Sequence, residues 1–338
     1  MESLAVKYRP LKFSDVYGQS SVVKVLMAQL QQKTFRNAYI FNGKTGSGKT
    51  TSARIFANEI NEGLGSPIEV DAASNSGVDN VRQIISDARE RSLDSKYKIY
   101  IIDEAHSISS QGWQAFLKCI EEPPMYTIFI FCTTEFNKIP DTIKNRCQCY
   151  TFNSIDSHLI YNRLEFVCKS EKLENYEESI SYISKQADGS MRNALTMLDK
   201  CISDSTTLDL YNTQKTLGTV PYSLLFNLVD KMLDGNEQAV LGALESVVGG
   251  DMDLKLFVDN LFSFCMDISK YIIFGGVENT RLLESMTDEI KKITSIQSAD
   301  KYYMYLINNV FELKKDLKYS TTQRDVVELY LLKMTRCL

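Results

Sequence analysis

Hydrophobic positions in the first 152 residues fall in short unbroken runs separated by longer mixed stretches. Ala38-Tyr39-Ile40-Phe41 reads as a buried strand, Ile68-Glu69-Val70 as a second and Lys98-Ile99-Tyr100-Ile101-Ile102 as a third. Tyr126-Thr127-Ile128-Phe129-Ile130-Phe131-Cys132 reads as a fourth, and Cys149-Tyr150-Thr151-Phe152 as a short fifth. Unbroken apolar runs, rather than alternation, suit strands covered by helices on both faces of a parallel sheet. After about residue 153 the pattern changes to helical spacing. Residues 157–213 read as three or four helices, with a break at Gly189 and a new helix from about Ser190. Leu217-Gly218-Thr219-Val220-Pro221 reads as a linker; beyond it, helices break at Asp234-Gly235-Asn236, Gly249-Gly250 and Gly275-Gly276. Leu224, Leu225, Leu228, Val229 and Met232 form one apolar stripe, and Val326, Leu329, Tyr330 and Met334 form another. Such stripes ordinarily pack a core; contact with another subunit is the alternative.

Composition narrows the class. The 338 residues are 44% hydrophobic and 24% charged, which are globular proportions. No apolar run approaches the ~20 residues that cross a bilayer, so no membrane is expected. The start, Met1-Glu2-Ser3-Leu4-Ala5-Val6-Lys7, lacks a basic-then-apolar leader, so the expectation is a soluble intracellular protein. A net charge of −5 argues against a histone-like binder but leaves room for a local basic patch. None of the eight cysteines forms a C-x-x-C pair, and only His106 and His158 accompany them. Zinc is not expected, and the cysteines read as reduced thiols filling core space.

Gly43-Lys44-Thr45-Gly46-Ser47-Gly48-Lys49-Thr50 fits G-x-x-x-x-G-K-[ST], between a predicted strand and a helical stretch from Thr51. Glycines let successive N–H groups face phosphate oxygens, and the helix N-terminus adds partial positive charge. Lys49 is expected to reach the β- and γ-phosphates of ATP, and Thr50 to ligate Mg²⁺. The third strand ends in Asp103-Glu104, at the mouth of the sheet where ligands bind. Asp103 is expected on Mg²⁺ and Glu104 as the general base that polarises water. Thr133-Thr134 ends the next strand, where a hydroxyl either senses the γ-phosphate or caps a turn. Arg146 and Arg192 stand beside structural breaks, and spacing alone leaves them open between function and simple solvation.

Together these motifs resemble the gamma/tau ATPase subunits of the bacterial DNA polymerase III clamp loader, within the AAA+ class. The resemblance runs through Tyr8-Arg9-Pro10, Asp15-Val16-Tyr17-Gly18-Gln19, the phosphate loop, Glu69-Val70-Asp71-Ala72-Ala73-Ser74 and Asp103-Glu104-Ala105-His106. It continues through Glu121-Glu122-Pro123-Pro124, Thr133-Thr134-Glu135, Asn145-Arg146-Cys147, Gly189-Ser190-Met191-Arg192 and Asp199. It is dense over residues 4–200 and thinner beyond, where Arg324, Glu328 and Leu331-Leu332-Lys333 still match.

The resemblance implies an α/β then all-α chain: an AAA+ P-loop sheet domain over 1–153, a helical lid over 154–216 and a helical collar over 217–338. It implies an adenine pocket of Ala5, Tyr8, Arg9, Pro10 and Val16, with phosphate contacts from Gly43, Thr45, Gly46, Ser47, Gly48, Lys49, Thr50 and Thr51. Thr134 would be sensor 1, and Arg192 sensor 2 in cis. Arg146 would be an arginine finger acting on the neighbouring subunit. DNA would meet Arg82 on the helix from Gly77 and the Ser110-Gln111 start of the next helix. The end of a helix over Val78–Arg91 and the loop through Leu93 resemble the contact with the sliding clamp, though Leu93 could instead be buried. Implied partners are the sliding clamp, primer–template DNA and other clamp-loader subunits in a pentamer joined by the collar. The implied setting is the cytoplasm of a bacterial or infected cell, at replication forks on the nucleoid.

Residues 58–67 stand where bacterial members carry a cysteine zinc module, and no cysteine is present there. Asn145 replaces the serine usual before the arginine finger. The chain ends at the collar without the long tau tail, so polymerase and helicase contacts are not to be assumed, and the compact form resembles a phage-encoded version. Two rivals remain: a non-hydrolysing structural subunit of the same assembly, or another AAA+ DNA-remodelling ATPase. Lys49, Thr50, Asp103 and Glu104 together favour the motor.

Overall fold

A computed structural model describes residues 2–204, 208–248 and 253–336. It packs as two compact units, one of residues 1–164 with 187–196, the other of 165–186 with 197–338.

The first unit is built on a five-stranded sheet of β1 (Ala38–Gly43), β2 (Ile68–Asp71), β3 (Lys98–Asp103), β4 (Thr127–Thr133) and β5 (Gln148–Phe152). The order is β2-β3-β4-β1-β5 and every pairing is parallel. Its helices are α1 (Leu4–Lys7), α2 (Ser20–Gln32), α3 (Lys49–Ile60), α4 (Val78–Asp87), α5 (Ser110–Glu121) and α6 (Asp141–Lys144). Alternate residues of the central strands fill two cores. Tyr39, Phe41, Ile99, Ile101 and Ile130 pack with Phe56 of α3 on one face; Ile40, Tyr100, Phe129 and Phe131 pack with Trp113 and Phe116 of α5 on the other. Burial on both faces explains the unbroken apolar runs of β1, β3 and β4. β2 departs from the buried strand expected: it lies at a sheet edge, and Ile68 is 40% exposed.

The described helices continue with α7 (Ser157–Glu171), α8 (Glu177–Gln186), α9 (Met191–Asp204), α10 (Leu210–Thr216), α11 (Tyr222–Leu233) and α12 (Glu237–Val248). The last are α13 (Leu254–Phe274), α14 (Thr287–Thr294), α15 (Ala299–Asp316) and α16 (Gln323–Thr335). Breaks fall where glycines and the Leu217–Pro221 linker predict them, except that Gly249-Gly250 lies outside the described residues. One apolar core joins α11, α13, α15 and α16 in the second unit. Lys185 of α8 donates to the carbonyls of Val277 and Leu282 there.

Three expectations are corrected. In α16 Met334 is buried and Val326 and Tyr330 pack against the core, but Leu329 is 64% exposed, and Val327 and Leu331 are buried instead. α4 stops at Asp87 and does not run to Arg91. Cys149 is exposed on the edge strand β5, although Cys119, Cys132, Cys168, Cys201 and Cys265 are buried.

Candidate functional site

β1 delivers the chain to the glycine loop at the carboxyl end of the sheet, and α3 begins at Lys49. Gly48 caps that helix at φ 99°, a conformation open to glycine, and leaves the first amides of α3 facing outward. Ser47, fully buried, donates its hydroxyl to the Lys44 carbonyl at 2.8 Å. Gln19 pins the loop from behind, donating to the Ser47 carbonyl at 3.1 Å and the Asn153 carbonyl at 2.8 Å. The Lys49 ammonium is buried and folds back onto the carbonyls of Gly43 (2.8 Å) and Lys44 (2.9 Å). Burial lowers its pKa, against the opposing pull of neighbours that include Asp103 and Glu104. Phosphate oxygens would replace those carbonyls as partners and favour the charged form.

The loop meets the acids across the sheet. Thr50 Oγ1 donates to Asp103 Oδ2 at 2.9 Å, so a hydroxyl and a carboxylate converge on one point. Those two oxygens fit a hard divalent cation, which takes oxygen ligands. Glu104 has φ 49°, which turns its side chain out of the line of β3. Its Oε2 lies 3.4 Å from Thr134 Oγ1 and 3.3 Å from His106 Nδ1. His106 also lies 3.3 Å from Thr133 Oγ1 and 3.4 Å from Glu135 Oε1, and Glu135 pairs with Lys138 at 2.9 Å.

A cavity of about 190 Å³ opens above the loop. Ala5, Tyr8, Arg9, Pro10 and Val16 line it with Gly46, Ser47, Gly48, Lys49, Thr50, Thr51, Asp103 and Arg192. α9 is fastened there: the Met191 amide donates to the Gly46 carbonyl at 3.1 Å. Sequence reading missed Tyr17, Arg163, Met191 and Leu195 on the same wall. It also gave no role to Gln19 or His106. Gln19 had one signal, its place in the Gly18-Gln19 match, and His106 its place two residues after Glu104.

Other expected residues lie elsewhere. Gly43 and Thr45 do not line the cavity, nor do Glu104 and Thr134. Arg146 is held at the end of α5, where its guanidinium meets Glu121 at 2.7 Å and the Thr142 carbonyl at 2.8 Å. Arg82 is exposed in the second turn of α4 and 3.3 Å from Asp79. Ser110 and Gln111 are exposed at the start of α5, whose cap Ser109 accepts from the Gly112 amide at 3.1 Å. The first turns of α4 and α5 lie together: Ser109 donates its amide to the Ser76 carbonyl at 3.3 Å, and a Cβ on Gly112 would sit 3.2 Å from Val81. Leu93 is fully exposed, which removes the buried reading of it. Among the described residues no three His, Cys, Asp or Glu side chains cluster to hold a metal, and no helix is long and apolar enough to cross a membrane.

A glycine loop on the inner strand of a parallel sheet, with helical domains following, places the chain among nucleotide-binding P-loop proteins of the AAA+ class. Solved structures of Thermotoga maritima RuvB, one described as a Holliday junction branch migration motor, share that fold. They superpose with TM-scores of 0.51 and 0.52 at 18% identity, over 72% of this chain and 85% of theirs. Models of DNA polymerase III proteins match along the chain: the delta subunit over 66–156, the clamp loader subunit ATPase lid domain over 159–206, and domain III of subunits gamma and tau over 208–337. Relatives include the tau subunit of Bacillus subtilis, 32% identical over 97% of this chain and 62% of its own length. The gamma/tau subunit of Mycoplasma genitalium is 32% identical over 90% of this chain and 54% of its own. The gamma subunit of Buchnera aphidicola (from Schizaphis graminum) is 29% identical over 98% of this chain and 97% of its own. The chain belongs to the gamma/tau family of DNA polymerase III clamp-loader subunits. It spans about half to two thirds of the length of the first two of these relatives.

Proposed function

We propose that the chain is the ATPase motor subunit of a sliding-clamp loader, working in the cytoplasm at replication forks. ATP binding opens the clamp and grips primer–template DNA; hydrolysis releases the closed clamp on DNA for processive replication. The Thr50–Asp103 hydrogen bond of 2.9 Å carries the reading, because it joins the phosphate loop to the acid strand that ends in Glu104. Residues 1–153 form the ATPase domain, 154–216 the lid and 217–338 the collar, a division supported by the family matches at 159–206 and 208–337.

Adenine enters among Ala5, Tyr8, Arg9, Pro10 and Val16, and the triphosphate lies along residues 43–51 with Lys49 between its β- and γ-phosphates. Thr50 and Asp103 would hold Mg²⁺, which would supply positive charge against those phosphates. Glu104 takes a proton from the attacking water, and His106 and Thr134 aim its carboxylate. Arg192 reaches the phosphates from α9 of the same chain. Arg146, absent from its own cavity wall, completes the neighbouring subunit's site in a pentamer, so hydrolysis depends on assembly. DNA phosphates meet Arg82 and the paired amino ends of α4 and α5, contacts that need no basic protein overall.

The test is steady-state ATP hydrolysis by the chain alone and with primed DNA and its sliding clamp, beside Glu104→Gln. Strong stimulation that disappears in the variant, with nucleotide still bound, supports the motor. The second reading is a structural subunit of the same assembly that does not turn over ATP. Nucleotide binding without hydrolysis, even with DNA and clamp present, would support that one instead.

A further inference from the structure

The Glu121-Glu122-Pro123-Pro124 segment has no part in the scheme above, yet it sits beside a residue that does. α5 ends at Glu121. Proline cannot continue a helix and holds the residue before it extended, so Pro123 and Pro124 set where α5 stops. Glu122 has left the helical region, at φ −121° and ψ 70°. The stop leaves the Glu121 carboxylate facing the turn between α6 and β5, which carries Arg146.

There Glu121 Oε1 takes one terminal nitrogen of Arg146 at 2.7 Å, and the Thr142 carbonyl takes the other at 2.8 Å. The negative end of α5 also favours a cation at that place. Both side chains are near two-fifths exposed, at 43% for Glu121 and 41% for Arg146. An exposed pair contributes little to stability, so its worth lies in where it puts the guanidinium. Arginine spans many rotamers; two contacts from different elements reduce them to one and leave its exposed edge to meet an anion.

We infer that Glu121 is the positioning residue for Arg146: it presents the guanidinium in a fixed pose to the neighbouring subunit's nucleotide. The inference rests on the reading that Arg146 acts in trans. It gives the acidic helix end and its proline stop a single purpose, the aim of a charge that works outside its own chain. Glu121 touches no reacting atom, and its loss acts only through Arg146.

Mixed assemblies test it. Acceptor chains carry Arg146→Ala with an intact phosphate loop; donor chains carry Lys49→Ala and cannot turn over ATP themselves. Donors with Arg146 intact restore hydrolysis, and donors that also carry Arg146→Ala do not. A donor with Glu121→Ala is expected to restore less kcat, by up to about a hundredfold, the scale of loss from a misplaced catalytic group. KM for ATP stays the same, because the acceptor's own cavity is untouched. A Glu122→Ala donor restores the full rate. Full rescue by the Glu121→Ala donor overturns the inference, and so does an equal loss with Glu122→Ala, which would mean general damage to the helix end. Rescue by the Arg146→Ala donor overturns the trans reading beneath it.

Discussion

Single residues set the geometry of the loop where backbone and side chains approach closest. Gly46 has φ 74°, and a Cβ there would lie 2.0 Å from Ser190 Oγ and 3.1 Å from Arg192 Cβ. Gly46→Ala therefore strains the loop and pushes away the first turn of α9, which carries Arg192. A non-glycine residue in this left-handed region costs about 1–2 kcal/mol before any clash. Gly63 is a control: its φ is 80°, but nothing lies within 4 Å of its Cβ position. Thermal melts should show both alanine variants destabilised, and nucleotide titration should show weakened binding for Gly46→Ala alone. The loop's chemistry was readable as a motif. Its contact with Ser190 was not, because the partner stands more than a hundred residues away and is small and polar like many others.

At the scale of the element, periodicity finds helices more securely than their buried faces. In α16 the predicted stripe held Leu329, which is exposed; the core takes Val327, Leu331 and Met334. Apolar residues at 326, 327, 329, 330, 331 and 332 fit more than one phase. The packing of α11, α12, α13 and α15 against α16 chooses among them. Leu331→Ala should cost about 2–5 kcal/mol, the range for emptying a core leucine site. Leu329→Ala should stay within about 0.5 kcal/mol of the parent. Denaturant unfolding of the two variants separates the phases: equal losses would put the predicted stripe back. β2 is a similar case, since Ile-Glu-Val reads as strand but cannot report that one of its edges has no neighbour.

Across the whole molecule, the response to pH depends on groups that folding removes from water. Asp267 of α13 is 3% exposed, and burial raises its carboxyl above the ordinary range, against a smaller pull from Arg281 and Lys270. A carboxyl raised in the folded state binds its proton more tightly there than in the unfolded chain. Its stability contribution is therefore present below the ordinary carboxylate pKa of about 3.9 and lost as pH rises through the raised value. At neutral pH the native protein carries the cost of a buried charge. Asp267→Asn should melt at higher temperature than the parent at neutral pH, with the gap closing as pH falls toward about 4. A variant that melts lower at neutral pH would show that the charge is needed for its ion pair with Lys270, 3.7 Å away.

Local order and contiguous chemistry could be read along the chain. The five strands, the positions of the breaks, the phosphate loop and the Asp103-Glu104 end all depend on neighbours in sequence, where period and backbone conformation act. Three-dimensional packing alone brought Thr50 to Asp103, His106 to Glu104, Arg192 to Gly46 and Glu121 to Arg146. It also chose the buried face of α16 and the exposed edge of β2. Each of these depends on pairs distant along the chain, on which strand lies beside which, and on where water is excluded. Hydrophobic patterning shows that a side chain must be covered; the assembled fold determines what covers it.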